Sequence, residues 1–301
     1  MDIQNNKPED LPITDSIDQA ILMHRDAHFG GHFDFMLEYY KTPHKGICED
    51  FSLEKIIALA DLERELKTNL ASLVLSGPDA EKVAKSRAAY KTLRSLYERP
   101  TKEKKYALLI ADLILSEEEY PQKEIEAIVA EKEAIVRSLI ALLRAEEYYD
   151  PLMPGYGKAP ILAAKALGLI GDKRAIIALF ETLGEGDFFD ETIELEALKS
   201  IGEPAKDFLL NVVKSRPLNS DNEKAAIALI QFKDDFDVIK TCFLLLQEDD
   251  VRKNAIFATY LVMACEHINK TEFKDVFIKM ADDATLDKML RLDIKSLMKE
   301  W

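Results

Sequence analysis

The chain has few cysteines, glycines and prolines for its 301 residues, and each shortage excludes a class of protein. Cys48, Cys242 and Cys265 are an odd, scattered set without a C-x-x-C pair, which excludes a disulfide framework and favours a reducing compartment. With 11 Gly and 11 Pro among abundant Leu, Ala, Ile, Glu and Lys, long helices are favoured over sheets. No apolar run reaches the length of a membrane span.

Positive charges are fewer than negative ones, with 40 Lys and Arg against 55 Asp and Glu, and the formal net charge is -15. The excess of acidic residues is spread evenly along the chain. There are 21 Lys and Arg against 29 Asp and Glu before residue 160, and 19 Lys and Arg against 26 Asp and Glu from residue 160 onward. The lack of a basic segment argues against nucleic-acid binding and against docking on anionic membranes. The acidic surface predicts either simple solvation or a face for a basic partner. The polar start MDIQNNKPEDLP is unlike a signal peptide, so we expect a cytoplasmic protein.

The common catalytic signatures are missing as well. The chain has no G-x-S-x-G motif, no Gly-rich loop that would cradle a phosphate and no dinucleotide-binding fingerprint. The segment 154–160, PGYGKAP, places a lysine near glycines, but no strand precedes it, so we interpret it as a turn. These absences favour binding over catalysis.

The sequence does contain an internal repeat of 31 residues that begins at Leu162. When the sequence is written in successive lines of 31 residues from Leu162, each line is one repeat. Positions three apart within a line share one face of a helix. Four columns recur as apolar or small residues: Ala164, Leu195, Ala226 and Phe257; Leu167, Leu198, Leu229 and Tyr260; Ile170, Ile201, Phe232, Met263 and Ile294; and the small Ala166, Ala197 and Ala228. A fixed period with this patterning predicts a solenoid, because a single hairpin cannot bury its own apolar face.

Each line splits into two helices. Gly171 and Gly202 end the first helix, since glycine is the usual helix terminator. The predicted second helices run over Lys173–Leu183, Pro204–Lys214, Asp237–Gln247 and Glu272–Ala281. In a solenoid these second helices usually line the concave surface.

Two stretches in these lines, AAKALGLIGDKRAIIALFETL and LEALKSIGEPAKDFLLNVV, resemble HEAT-like repeats of the type found in phycobilisome lyases. The resemblance covers about residues 160–301 and implies an α-solenoid of helical hairpins. That family includes scaffolds, chaperones, lyases and a few enzymes, so the resemblance implies a fold and no particular activity.

The first half is predicted to be helical without the 31-residue register. Residues 1–13 are expected to form a flexible tail and residues 14–150 a less regular helical region, either degenerate repeats or a separate helical cap. The predicted helices are Asp15–Phe29, His32–Tyr40, Ser52–Leu75, Pro78–Glu98, Thr101–Ser116 and Pro121–Ala145, with Ser52 and Thr101 as N-caps.

Four of the five histidines fall in one segment of this half. His24, His28 and His32 are spaced by four residues, and two histidines at that spacing share one helical face and can share a metal ion. Other candidate ligands lie nearby: Asp26, Asp34, Glu38 and His44. Such a site with an open position for water would support metal-dependent catalysis.

A competing interpretation treats these histidines as core residues. His24 and His28 continue the apolar face set by Ile17 and Ile21, while Gly30-Gly31 is expected to end the helix before His32. The neighbouring aromatic residues then belong to the same core or form a pocket for an aromatic small molecule.

The leading hypothesis is an all-α scaffold or adaptor that binds a protein or peptide through the second helices of its repeats. The acidic turns Asp234-Asp235, Glu248–Asp250 and Asp282-Asp283 would favour a basic partner. One alternative is a metal-dependent enzyme that uses the histidine cluster, with no other cofactor. A further alternative is a lyase-like or chaperone role toward a chromophore, with Cys48 near the aromatic cluster. The sequence leaves the oligomeric state open.

Overall fold

The computed structural model describes residues 15–98, 100–184 and 188–301, without the side chains of 188–190. All regular elements within these ranges are helices, and no strand occurs in them, which confirms the all-α prediction. No helix in the same ranges is long and apolar enough to cross a membrane. The predicted tail, residues 1–13, lies outside the described residues.

The chain divides into two compact units, Met1–Ala163 and Ala164–Trp301. The helices of the first unit are α1 Ser16–His28, α2 Phe33–Tyr39, α3 Leu53–Leu66, α4 Leu70–Val74, α5 Gly77–Ser95, α6 Lys105–Leu115, α7 Gln122–Val129 and α8 Val136–Leu143. Short 3-10 turns cover Leu96–Glu98, Lys102–Lys104, Lys132–Ala134 and Glu146–Tyr149. Helix α9, Ala159–Ile170, begins in the first unit and continues into the second.

Side-chain caps set several helix starts. The Ser52 side chain accepts a hydrogen bond from the backbone N–H of Lys55, which confirms its predicted role as the N-cap of α3. Helix α5 begins with a reciprocal capping box between Ser76 and Asp79. The prediction for Thr101 is wrong, because its side chain caps no backbone N–H and the residue precedes a 3-10 turn.

Two helices predicted as continuous are broken. The predicted helix Ser52–Leu75 stops at Leu66, where Lys67 adopts the left-handed conformation with φ of 51°. The predicted helix Pro121–Ala145 is broken in the same way near Lys132, whose φ is also 51°. A lysine disfavours this conformation, so tertiary contacts must hold it. At the first break, Asn69 caps α4 and also accepts a hydrogen bond from Arg25.

The core of the first unit forms where α1 meets α2, α3 and α4. Its apolar members are Ile21, Leu22, Phe33, Met36, Ile56, Leu59, Ala60 and Leu70. Arg25 is fully buried beside them and forms ion pairs with Asp26 at 2.7 Å and Glu63 at 2.6 Å. A buried cation needs such partners because removing it from water is costly.

The second unit contains the rest of α9 and nine further helices among its described residues. They are α10 Ile176–Thr182, α11 Phe188–Ile201, α12 Glu203–Val213, α13 Ser220–Leu229, α14 Phe236–Leu245, α15 Asp249–Lys253, α16 Ala255–Ala264, α17 Lys274–Met280 and α18 Lys288–Met298. The predicted second helices coincide with α10 and the 3-10 turn before it, α12, α14 and α17. Gly171 and Gly202 both have positive φ, as expected of helix terminators.

First helices of successive lines pack directly on one another, since α13 contacts α16 and α16 contacts α18. At the start of the unit, a methyl group on Gly168 would lie 2.7 Å from Cα of Ala197, so α9 and α11 approach at backbone distance. Leu167, Leu198 and Leu229, which occupy equivalent positions in successive repeats, are all fully buried, as the repeat pattern predicts. The placement of Met263 in a stacked column is wrong, because its side chain is 45% exposed.

Candidate functional site

The structure brings together two of the three predicted metal ligands. His24 and His28 lie on successive turns of α1 with ring centroids 4.3 Å apart. Gly30 and Gly31 both have positive φ and reverse the chain, which leaves His32 exposed at the start of α2. The spacing of four therefore joins only the first pair.

His28 uses both of its ring nitrogens within the protein. Its Nε2 lies 3.0 Å from the carbonyl oxygen of Pro151, and its Nδ1 lies 2.7 Å from the hydroxyl of Tyr90. Because a carbonyl can only accept, we assign the hydrogen to Nε2, and Nδ1 then accepts from Tyr90. Burial, followed by repulsion from His24, lowers the pKa of His28 to about 2, so the ring is neutral near neutral pH.

His24 is buried among the rings of Phe29, Phe51 and Tyr156. Burial lowers its pKa to about 4, although a hydrogen bond with the backbone of Gly46 acts in the opposite direction. Its Nε2 has no hydrogen-bond partner, which is uncommon for a buried polar atom. This nitrogen is the one free metal-ligand atom that the pair offers.

Of the remaining candidate ligands, Asp34 is exposed in the first turn of α2, and three others contact other groups. Asp26 pairs with Arg25 and Arg87, Glu38 pairs with Lys41, and His44 hydrogen bonds to Thr42. Across the described parts of the chain, no three His, Cys, Asp or Glu side chains are placed to hold a metal ion. The geometry therefore offers two adjacent rings and no ligand set for the metal hypothesis.

Tyr156 packs on both histidine rings, and Glu117 connects it to Tyr39, one of the aromatic residues predicted to form a core or a pocket near the histidines. The sequence did not single out Glu117 or Tyr156. The hydroxyls of Tyr39 and Tyr156 both donate to Glu117 Oε2, at 2.6 and 3.1 Å. The ring of Tyr156 lies so close to Gly46 that a side chain there would meet it at 2.3 Å. Burial raises the pKa of both tyrosines. Glu117 itself is exposed, so this hydrogen-bonded group lies at the surface of the unit beside the histidine pair.

Lys45 is the second feature that the sequence did not indicate. Its side chain is 1% exposed, and Nζ donates to the carbonyls of Leu113 at 3.2 Å and Ile114 at 3.0 Å. Burial lowers the pKa of Lys45 to about 8. A lysine with a lowered pKa can act as a nucleophile, but this one is enclosed and terminates α6 by binding its last carbonyls.

Two open clefts lie elsewhere in the first unit, and neither is lined by His24 or His28. One, of about 340 Å³, is lined by residues of α6 and α7, including Asp112 of α6, together with Tyr97. The other, of about 380 Å³, is lined by residues 31–34 and by the break after α3. Both have mixed polar and apolar walls.

The second helices of the second unit expose large apolar side chains. Ile177 on α10, Phe236 and Leu244 on α14 and Val276 on α17 are between 45% and 54% exposed. Phe236, Lys240 and Leu244 are spaced by four and share one stripe of α14. Phe273, just before α17, stacks on Phe236 with a centroid distance of 6.1 Å and joins the two helices.

The acidic turns in this unit already have cationic partners. Arg216 pairs with Glu248 and Asp250, and Arg252 pairs with Asp249. The other two turns also contain paired residues: Asp235 binds Lys206 at 2.6 Å, and Asp282 lies 3.0 Å from Lys295. Exposed pairs of this kind exchange partners at little cost, so they neither create nor block a basic-partner site.

Exposed apolar residues of the second unit thus occur on its second helices and also on the first helices α9, α16 and α18. No protein-family model, curated protein or solved structure matches the chain. The function is therefore inferred from the residues of the chain itself.

Proposed function

We propose that the chain is a binding scaffold, in which the second unit is a HEAT-like stack of helical hairpins that presents its second helices to a protein or peptide partner. One observation carries this proposal: half-exposed apolar side chains recur on three second helices, α10, α14 and α17. Several exposed apolar side chains on neighbouring helices are typical of a binding surface, whereas isolated ones need no explanation. The first helices α9, α16 and α18 also expose apolar side chains, so the choice of the second helices rests on the solenoid arrangement.

Three further observations support the HEAT-like part of the proposal. The chain keeps a 31-residue register, two first helices end at a glycine with positive φ, and first helices of successive lines contact one another. In repeat folds, each unit packs on its neighbours through equivalent positions.

The expected strength of such a surface follows from its area. Fully burying a leucine, valine or phenylalanine side chain contributes roughly 1.5–3 kcal/mol, so covering the exposed half of Leu244 or Val276 contributes about 1 kcal/mol each. The four side chains together therefore support only weak binding, roughly millimolar. A tighter complex needs additional polar contacts from Lys240, Asp237 and their neighbours.

The sign of the partner's charge remains a prediction from the sequence. The second unit has a net charge of -7, which favours a basic partner at long range. Because the acidic turns already bind Arg216, Arg252 and Lys295, we base the proposal on the apolar residues.

The test is a selection of random-sequence peptides, displayed on phage, against the full chain. Peptides that are enriched should bind the protein with Leu244→Asp and Val276→Asp at least tenfold more weakly, because a charge replaces apolar contact area on α14 and α17. Binding is measured by fluorescence polarisation of the labelled peptides.

Ile256→Asp on the first helix α16 provides a matched control, since Ile256 is 57% exposed and the change is chemically the same. The control protein should bind the enriched peptides as the unaltered chain does. Failure to enrich any peptide, or equal losses in the control and the test variant, would contradict a surface on the second helices.

A further inference from the structure

The segment Asp150–Lys158, between the 3-10 turn after α8 and the start of α9, has an uncommon backbone. Gly155, Tyr156 and Gly157 have φ values of 90°, 57° and 78°, all in the left-handed region. Internal hydrogen bonds form two tight turns, from Tyr156 N–H to the Met153 carbonyl and from Lys158 N–H to the Gly155 carbonyl. Because tyrosine disfavours positive φ, the conformation needs support from contacts outside the segment.

Two helices supply that support. From α1, His28 donates through Nε2 to the carbonyl of Pro151 at 3.0 Å, and its ring lies 4.3 Å from the ring of Tyr156. From α5, the Ser86 hydroxyl donates to the carbonyl of Leu152 at 2.5 Å. His24 lies behind His28 and also contacts Tyr156, with a centroid distance of 5.7 Å.

We propose that His24 and His28 form an acid-sensitive latch, which holds the segment Asp150–Lys158 against α1 while both rings are neutral and releases it when they are protonated. The latch rests on the two packed rings, on the unpartnered Nε2 of His24 and on the full use of both nitrogens of His28. It is independent of the binding surface on the second unit.

The surroundings of the rings oppose a positive charge. Within the described residues neither ring has a carboxylate partner: one His24 nitrogen is free, and His28 binds a hydroxyl and a carbonyl. The groups that face the pair are Tyr90 from α5, Phe29 after α1, Gly46 and Phe51 from the loop that also holds Lys45, and Tyr156. The Arg94 guanidinium lies 5.4 Å from the ring of Tyr90, and Tyr39 from α2 packs on Phe29 and Tyr156. The Glu117 carboxylate, which contacts Tyr156, already accepts from Tyr39 and Tyr156. Asp26, which lies between the two histidines on α1, pairs with Arg25 and Arg87.

The direction of the pH dependence follows from the two pKa values. Burial lowers the pKa of His24 to about 4 and of His28 to about 2, from 6.5 in an exposed histidine. The closed form therefore binds fewer protons than the open form below pH 6.5. The closed form is most stable relative to the open form above pH 6.5. This stability is lost progressively as the pH falls from 6.5 toward 4.

The size of the effect depends on how many protons are taken up on opening. With both rings exposed in the open form, lowering the pH from 7.5 to 5.5 increases the ratio of open to closed form about 100-fold. If only one ring becomes exposed, the increase is about tenfold.

Hydrogen exchange of the full chain measures this ratio. The amides of Tyr156 and Lys158 report the segment, and the amides of α7 report the rest of the unit. After correction for intrinsic exchange rates, we expect about a 100-fold increase in opening of the segment between pH 7.5 and 5.5, with no increase in α7. A segment that opens independently of pH, or an α7 that opens in parallel, would overturn the latch.

Substitutions of the histidines show which ring takes up each proton when the segment opens. His24→Phe should reduce the increase to about tenfold, and adding His28→Gln, which keeps an N–H donor for Pro151, should abolish it. His32→Gln removes an exposed histidine and should leave the full increase. A dependence that survives the double change disproves the assignment.

Imidazole NMR signals of the unaltered chain provide a measurement that does not depend on folded variants. In the closed form, both rings should keep the shifts of neutral histidine down to pH 5.5. If either ring titrates in the closed form with a pKa near 6.5, the proposal is wrong.

Discussion

Replacing Lys45 with methionine should remove a rise in stability that we expect of the first unit in mildly alkaline solution. The Lys45 ammonium is buried against two backbone carbonyls, and burial lowers its pKa from 10.5 to about 8. The folded form therefore binds fewer protons than the unfolded form at these pH values. Stability from this group is complete above pH 10.5 and is lost as the pH falls toward 8.

These pKa values set the magnitude. Raising the pH from 7.5 to 9.5 should increase the free energy of unfolding by about 2 kcal/mol. At pH 7.5, the charged Lys45 costs about 3 kcal/mol relative to an exposed lysine. Methionine removes that cost but leaves the carbonyls of Leu113 and Ile114 without their donor, at about 1 kcal/mol each. We therefore expect Lys45→Met to be about 1 kcal/mol more stable at pH 7.5 and to show no rise.

Urea unfolding of the full chain at pH values between 7.5 and 9.5 provides the assay. Near-UV circular dichroism of tyrosine follows the first unit, which contains nine of the ten tyrosines, while fluorescence of Trp301 follows the second. The range stops at pH 9.5, because the raised pKa of buried tyrosines such as Tyr39 and Tyr156 lowers stability at higher pH. Lys85→Met, at an exposed position of α5, should keep the rise. An equal rise in Lys45→Met, or none in the unaltered chain, would refute the reasoning.

Three other substitutions test the packing and the caps. Gly168→Ala should destabilise the second unit by about 1–3 kcal/mol, because the new methyl group meets the backbone of Ala197. The higher helix propensity of alanine offsets up to about 1 kcal/mol of this loss. Trp301 fluorescence in urea measures the change, and Lys165→Ala at an exposed position of the same helix should change stability little. Asn222→Ala should cost about 2 kcal/mol by the same assay, since its buried amide donates to the carbonyls of Val212 and Val213, and a loss close to zero would mean that water replaces it. Ser76→Ala should cost the first unit about 1 kcal/mol through its N-cap, seen in the tyrosine signal, and an unchanged midpoint would rule out the capping box in solution.

The repeat was predictable because its signals are local. The spacing of three to four residues within each line decides which side of a helix is apolar, and Gly171 and Gly202 mark helix ends by their own backbone freedom. The breaks at Lys67 and Lys132 had no such signal, since lysine ordinarily continues a helix. Next to Lys67, a contact from a distant residue, Arg25 with Asn69, accompanies the break.

The sequence by itself determined that the chain is helical, where its second helices begin, and that His24 and His28 share a face of α1. These properties depend on neighbours three or four residues apart. Only the tertiary structure decided that His24 is buried, that His32 is separate, and that the ring packed on both histidines is Tyr156, which itself contacts Glu117 and Gly46. The last three residues are more than 30 positions apart in the chain, so only the burial of apolar surface by the whole unit brings them together.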